Sequence, residues 1–122
     1  MDASSANLSV DEANLRVTGD LDLATTGHVR PSVLHHIETT DAPEVVLDLT
    51  GLRYLSSCGI ALLLDAAALA GSRGVGMTVR VVSDSAPLRI LQIAGLTGRA
   101  TRSFAVDEVP ASYDSASWVR HR

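Results

Sequence analysis

The chain has 122 residues, 46% of them hydrophobic, a net charge of −4, ten arginines with no lysine, and one cysteine. That length suffices for one core, with roughly two thirds of the unfolded surface leaving water. With only four aromatics (Tyr54, Phe104, Tyr113, Trp118), Leu, Val, Ile and Ala must fill it, as in layered α/β domains. Arginines scattered without run or stripe lack the electrostatic footprint of a nucleic-acid binder. A single cysteine excludes an internal disulfide, and no Cys/His spacing suits zinc, so no metal or cofactor is expected.

Taken in chain order, residues 7–10 (NLSV) and 14–18 (NLRVT) alternate apolar and polar positions around the turn-forming DEAN, which predicts a hairpin. Asp22 or Thr25 can cap a following helix with apolar positions at Val29, Val33, Leu34 and Ile37. Pro31 is expected either in its first turn or as the reason for a later start near Gly27. The β-branched run PEVVLDLTGL reads as a central buried strand. A helix from Ser57 to about Ala70 ends at Gly71, and GVGMTVRVVS forms the next strand. SAPLRILQIAGL is a third helix, with Ser85 as N-cap, Pro87 in the first turn, Leu88, Leu91 and Ile93 as its apolar positions, and Gly95 as terminator. A last strand near Thr101–Ala105 and a weak terminal helix over Asp107–Trp118 complete the chain.

The predicted fold is therefore α/β in the order ββαβαβα with a weak final strand or helix: a single-layer mixed sheet of four to five strands carrying about four helices. One domain spans residues 1–122, with its core at about 7–110 and 111–122 as terminal helix or tail. The start MDASSANLSVDEANL lacks the basic and apolar segments of a signal peptide. The longest apolar stretch, Gly59 to Gly71, is interrupted by Asp65 and falls short of the ~20 residues that cross a bilayer. A cytoplasmic location is expected.

Few residues suggest catalysis. GSRGVG follows a helix and precedes a strand, the reverse of the order a phosphate-binding loop requires, and reads as a helix end and turn. His28, His35 and His36 fall on the first helix without metal-pair spacing and read as solvated. Asp20 and Asp22, two apart at a strand end, read as turn and cap chemistry. Ser57 and Cys58 stand at a strand-to-helix turn where a nucleophile could sit, but the G-x-S-x-G pattern is absent, as is an evident base. Ser56 or Ser57 fits the N-cap of the helix. A hydroxyl there is also where an added phosphate meets free N–H groups and the positive end of the helix dipole.

That helix is apolar nearly all the way round. Ile60, Leu63, Leu64 and Ala67 form the stripe expected to face the sheet, which leaves Ala61, Leu62, Ala66 and Leu69 for a partner surface, with Asp65 as the only charge.

The segments GDLDLAT, VVLDLTGLRYLSSCGIALLL and PLRILQIAGL resemble, in order and separation, the three signatures of the STAS domain of bacterial anti-sigma factor antagonists. The resemblance implies a non-enzymatic protein that binds an anti-sigma factor, itself a histidine-kinase-like ATPase with serine-kinase activity, and so releases a sigma factor. It also implies phosphorylation at Ser57, with Ser56 as the alternative acceptor, and reversal by a serine phosphatase. Asp22, Ser56, Ser57, Cys58, Gly59, Ala61, Leu62, Asp65 and Ala66 would then form the partner-binding surface. The chain departs from the family in having Ser56 where the family has Asp and Cys58 where it has Ser or Thr. A constitutive, unphosphorylated antagonist, a STAS subunit of a transport or lipid-trafficking system and a nucleotide-binding module are the other readings.

Overall fold

The structure, a computed structural model, describes residues 5–11, 14–97 and 104–113. Its organising strand is β3 (Glu44–Leu55), in which Val45, Leu47 and Leu49 point alternately into the core. Before it come β1 (Ala6–Asp11), β2 (Asn14–Leu21) and α1 (Leu23–Thr39); after it come α2 (Ser57–Ser72), β4 (Gly76–Val82), α3 (Ala86–Ile93) and β5 (Phe104–Val109). The five strands lie in sequence order, β1 antiparallel to β2 and all later neighbours parallel.

Each parallel pair is joined through a helix, and the connections step in one direction across the sheet. Right-handed crossovers of that kind place all three helices on one face. Burial agrees: Leu15 and Val17 on β2 and Met77, Val79 and Val81 on β4 are buried, while the intervening Asn14, Arg16, Thr18, Thr78 and Arg80 are partly exposed. Across the opposite face the pairing sets Arg16 beside Asp48, Asp48 beside Arg80 and Arg80 beside Asp107, a row of alternating charge. Arg80 donates to Asp107 at 2.9 Å and to the Tyr113 hydroxyl at 3.3 Å. Burial opposes its charge, but the bonds to Asp107 and Tyr113 prevail and raise its pKa above the ordinary arginine value.

The predicted order of elements holds, with four corrections. The helix starts at Leu23, so Pro31 lies in its interior rather than in the first turn, and no restart occurs at Gly27. The lost backbone bond to an exposed Gly27 carbonyl is offset by a full capping box between Asp22 and Thr25 and by burial of Val29, Val33 and Ile37. The last strand is Phe104–Val109, which occupies the predicted start of a terminal helix at Asp107; residues 114–122 lie outside the described residues. Three helices stand where about four were expected, among the described residues.

The fourth correction concerns α2. Its buried positions are Gly59, Ile60, Leu62, Leu63, Ala66 and Ala70, whereas Leu64 is 45% exposed. Leu62 and Ala66 are therefore core residues, 1% and 0% exposed, and not part of a partner surface. The reason is coverage from two sides: the sheet lies beneath α2, and α1 packs alongside it, with Arg30 ion-paired to Asp65 across the two helices. An arc wider than one stripe is thereby removed from water.

Leu62→Ala should cost about 2–5 kcal/mol. Ala66→Asp should leave no cooperative thermal transition, because it buries a charge without a partner. Circular dichroism melts of the two variants check both outcomes.

Candidate functional site

The ends of β2 and β3 are held together at Leu21, which stands opposite Leu55 in the sheet. The N–H of Ser56 donates to the Leu21 carbonyl at 2.8 Å. One turn into α2, a Cβ added to Gly59 would lie 2.5 Å from Leu55 Cδ1 and 3.1 Å from Leu21 Cβ. Glycine is thus what lets α2 begin hard against β2. Because Asp22 follows Leu21 and Ser56 follows Leu55, the N-termini of α1 and α2 open at the same edge of the sheet.

Both helix starts are capped by side chains. Asp22 Oδ1 accepts from the N–H groups of Ala24 and Thr25, each at 3.0 Å, and Thr25 Oγ1 accepts from the Asp22 N–H at 3.0 Å. Ser56 Oγ accepts from the Gly59 N–H at 3.3 Å. Of the two candidate acceptors, Ser56 is therefore half-buried and engaged as a cap. Ser57, the first residue of α2, is exposed, and no described protein group takes its hydroxyl. Cys58 is half-buried. Asp20 receives Arg53 at 3.0 Å, a surface ion pair beside the site.

Next to Ser57 lies an open groove of about 330 Å³ between the start of α2 and the end of α3. Tyr54, Leu55 and Ile60 form one wall and Ile90, Ile93 and Ala94 the other, with Ser56 and Ser57 at the lip and no charged residue in the lining. Tyr54 is 53% exposed and Ile93 76%. Leu23, adjoining the Asp22 cap, is 81% exposed. Tyr54 and Ile93, large apolar side chains left this open along one groove, mark a contact surface.

Of the residues singled out from sequence, the structure brings Asp22, Ser56, Ser57, Cys58 and Gly59 to the paired helix starts. Ala61 and Asp65 lie on the exposed side of α2, and Leu62 and Ala66 are turned inward. The groove residues of α3 were missed. Of the three apolar positions predicted on α3, Leu88 and Leu91 are buried, whereas Ile93 is exposed. Ile90 and Ile93, three apart and off the Leu88–Leu91 face, form a second apolar ridge, and that spacing was the available signal. None of His28, His35 and His36 lines the groove. Among the described residues no cluster of His, Cys, Asp and Glu could hold a metal. GSRGVG closes α2 and turns into β4, with Gly74 at φ +72°.

Comparison with known proteins gives a consistent picture. The family model described as "Mlab, STAS domain" matches residues 4–106. Among solved structures, the chain is similar to an anti-sigma factor antagonist from Mycobacterium paratuberculosis, with 16% identity, 86% of each chain covered and a TM-score of 0.63. It is similar to the anti-sigma factor antagonist SpoIIAA in its unphosphorylated form, with 16% identity, 96% of this chain and 97% of the other covered, and a TM-score of 0.64. The phosphorylated form of SpoIIAA, a Bacillus cell fate determinant, matches with 17% identity, coverage of 96% and 99%, and a TM-score of 0.60. At such identities the three structures share the fold. With a family match over most of its length and the mixed sheet, capped helix starts and Gly59 contact in place, the chain belongs to the STAS domain family.

Proposed function

We propose that the protein is an anti-sigma factor antagonist: a protein ligand without turnover of its own that binds an anti-sigma factor of the serine-kinase type, releases a sigma factor, and is switched by phosphorylation of Ser57. The observation that carries this reading is the exposed Ser57 hydroxyl at the lip of an uncharged apolar groove flanked by Tyr54 and Ile93. Its similarity to structures of antagonists, one of them phosphorylated, supports the reading. Aliphatic and aromatic side chains at the groove supply buried area on association. They would dock the partner in the cytoplasm, and a serine phosphatase would reset the switch.

The switch follows from charge. A phosphate on Ser57 adds about −1.5 to −2 charges. The fold tolerates it, since a helix N-terminus favours an anion by about 0.3–1 kcal/mol at an exposed site. The docked state does not, because the phosphate would stand at the lip of an apolar contact and lose water there. A second reading, a STAS subunit of a transport or lipid-trafficking assembly that is never switched, is favoured by one observation: Ser56 occupies the family Asp position and serves as a neutral cap.

Ile93→Asp and Tyr54→Ala should weaken capture of the partner from a lysate more than tenfold, or above about 1.4 kcal/mol. Melting temperatures should barely move, because both side chains are largely exposed. Unchanged capture would remove the groove from the interface.

Ser57→Asp should abolish partner binding, and Ser57→Ala should bind yet take up no phosphate. Ser56→Ala should still be phosphorylated while losing about 0.5–2 kcal/mol of stability with its cap. Mass spectrometry after incubation with the partner and ATP distinguishes the serines: phosphate on Ser56 moves the acceptor, and phosphate on neither leaves the unswitched reading.

A further inference from the structure

The pairing of β2 with β3 begins with Asn14 opposite Val46 and ends with Leu21 opposite Leu55. On the way the register slips twice, between Arg16 and Thr18 and again between Gly19 and Asp20, and each slip admits one additional residue of β3. In an unbroken register Leu21 would face Arg53 instead of Leu55. The alternation of β3 would then turn Gly51 and Arg53 inward in place of Leu52, which is buried in the core. The Ser56 N–H would not meet the Leu21 carbonyl. The geometry of the helix starts therefore depends on the slips.

A residue inserted into one strand loses its place in the ladder, and its backbone N–H needs another acceptor. At the first slip Asp48 supplies it. Its Oδ1 accepts from the Thr50 N–H at 2.8 Å and from the Thr50 hydroxyl at 2.6 Å. Asp48 is 0% exposed, and its Oδ2 is buried with no hydrogen-bond partner among the described residues. Arg16 and Arg80, its cross-strand neighbours, offset the buried charge, and the hydrogen bonds that Asp48 makes go to Thr50 at the slip. No step of the proposed switch uses Asp48 directly.

We propose that Asp48 is a positioning residue: by holding both the N–H and the hydroxyl of Thr50 at the first slip, it fixes the register that delivers Ser56 and Ser57 to the edge beside Asp22. The inference rests on the reading of Ser57 as acceptor, but its first test does not. Amide hydrogen exchange and ¹⁵N correlation spectra of the free protein read the register. In Asp48→Ala the Thr50 and Ser56 amides should lose protection at least tenfold, and the Ser56, Ser57 and Gly59 signals should shift. Asp48→Asn, whose amide oxygen can still accept, should remain within threefold of the parent. Val79→Ala, a core variant of β4 that lowers stability without touching β3's slips, should leave the Ser56 signals in place. Thr50→Val, which removes only the hydroxyl contact, should lose protection about threefold and decides the matter if Asp48→Ala does not fold. The proposal is overturned if the Ala variant keeps Ser56 protected, if Asn behaves as Ala does, if Val79→Ala has the same effect, or if Thr50→Val changes nothing. With the partner kinase and ATP, phosphate uptake on Ser57 should fall at least tenfold in Asp48→Ala and be retained in Asp48→Asn. If the parent itself takes up no phosphate, the functional reading fails while the exchange data still decide the role of Asp48.

Discussion

The contact between the Ser56 N–H and the Leu21 carbonyl, with Gly59 closed against Leu21, is the constraint on which the rest of the site depends. It joins two strand ends that are 34 residues apart in sequence and makes two helices start at one edge. The caps of those helices, the exposed Ser57 and the mouth of the groove are placed by that closure, not by the loops around them. A Cβ at residue 59 would push α2 away from β2, and Ser57 would move with it.

The energetic character of α2 follows from the same arrangement. It is pressed between the sheet and α1, so most of its apolar side chains stabilise the fold and few remain for a partner. The contact surface is assembled instead from element ends: the last residues of β3, the first of α1 and α2, and the outer ridge of α3. Such a surface can be altered at Ile93 or Tyr54 without touching the core, which separates the demands of folding from those of recognition.

Much of this was legible in the sequence, and the failures have physical causes. The alternation of β2, the β-branched run of β3 and the caps are local signals: the sequence offers Asp22 or Thr25, Ser56 or Ser57, and Ser85, and the structure takes Asp22, Ser56 and Ser85. The orientation of α2 was not legible, because a helix apolar on every side carries little directional signal and only its neighbours choose the buried arc. The slips in β3 were hidden for a related reason. Buried Leu49, Leu52 and Leu55 are spaced by three, a period that belongs to neither strand nor helix alone. The groove was invisible because it unites β3 with α3, a meeting that only the tertiary fold creates.

The face of the sheet that carries no helix among the described residues has a consequence for how the molecule behaves in company. Its charges alternate from Arg16 through the buried Asp48, then Arg80, to Asp107, so a second sheet laid against it would have to strip water from the partly exposed Arg16, Arg80 and Asp107 at once. Open sheets with a bare apolar face stack and aggregate. This one carries its own deterrent in Arg16, Arg80 and Asp107, while the apolar groove opens at the helical end.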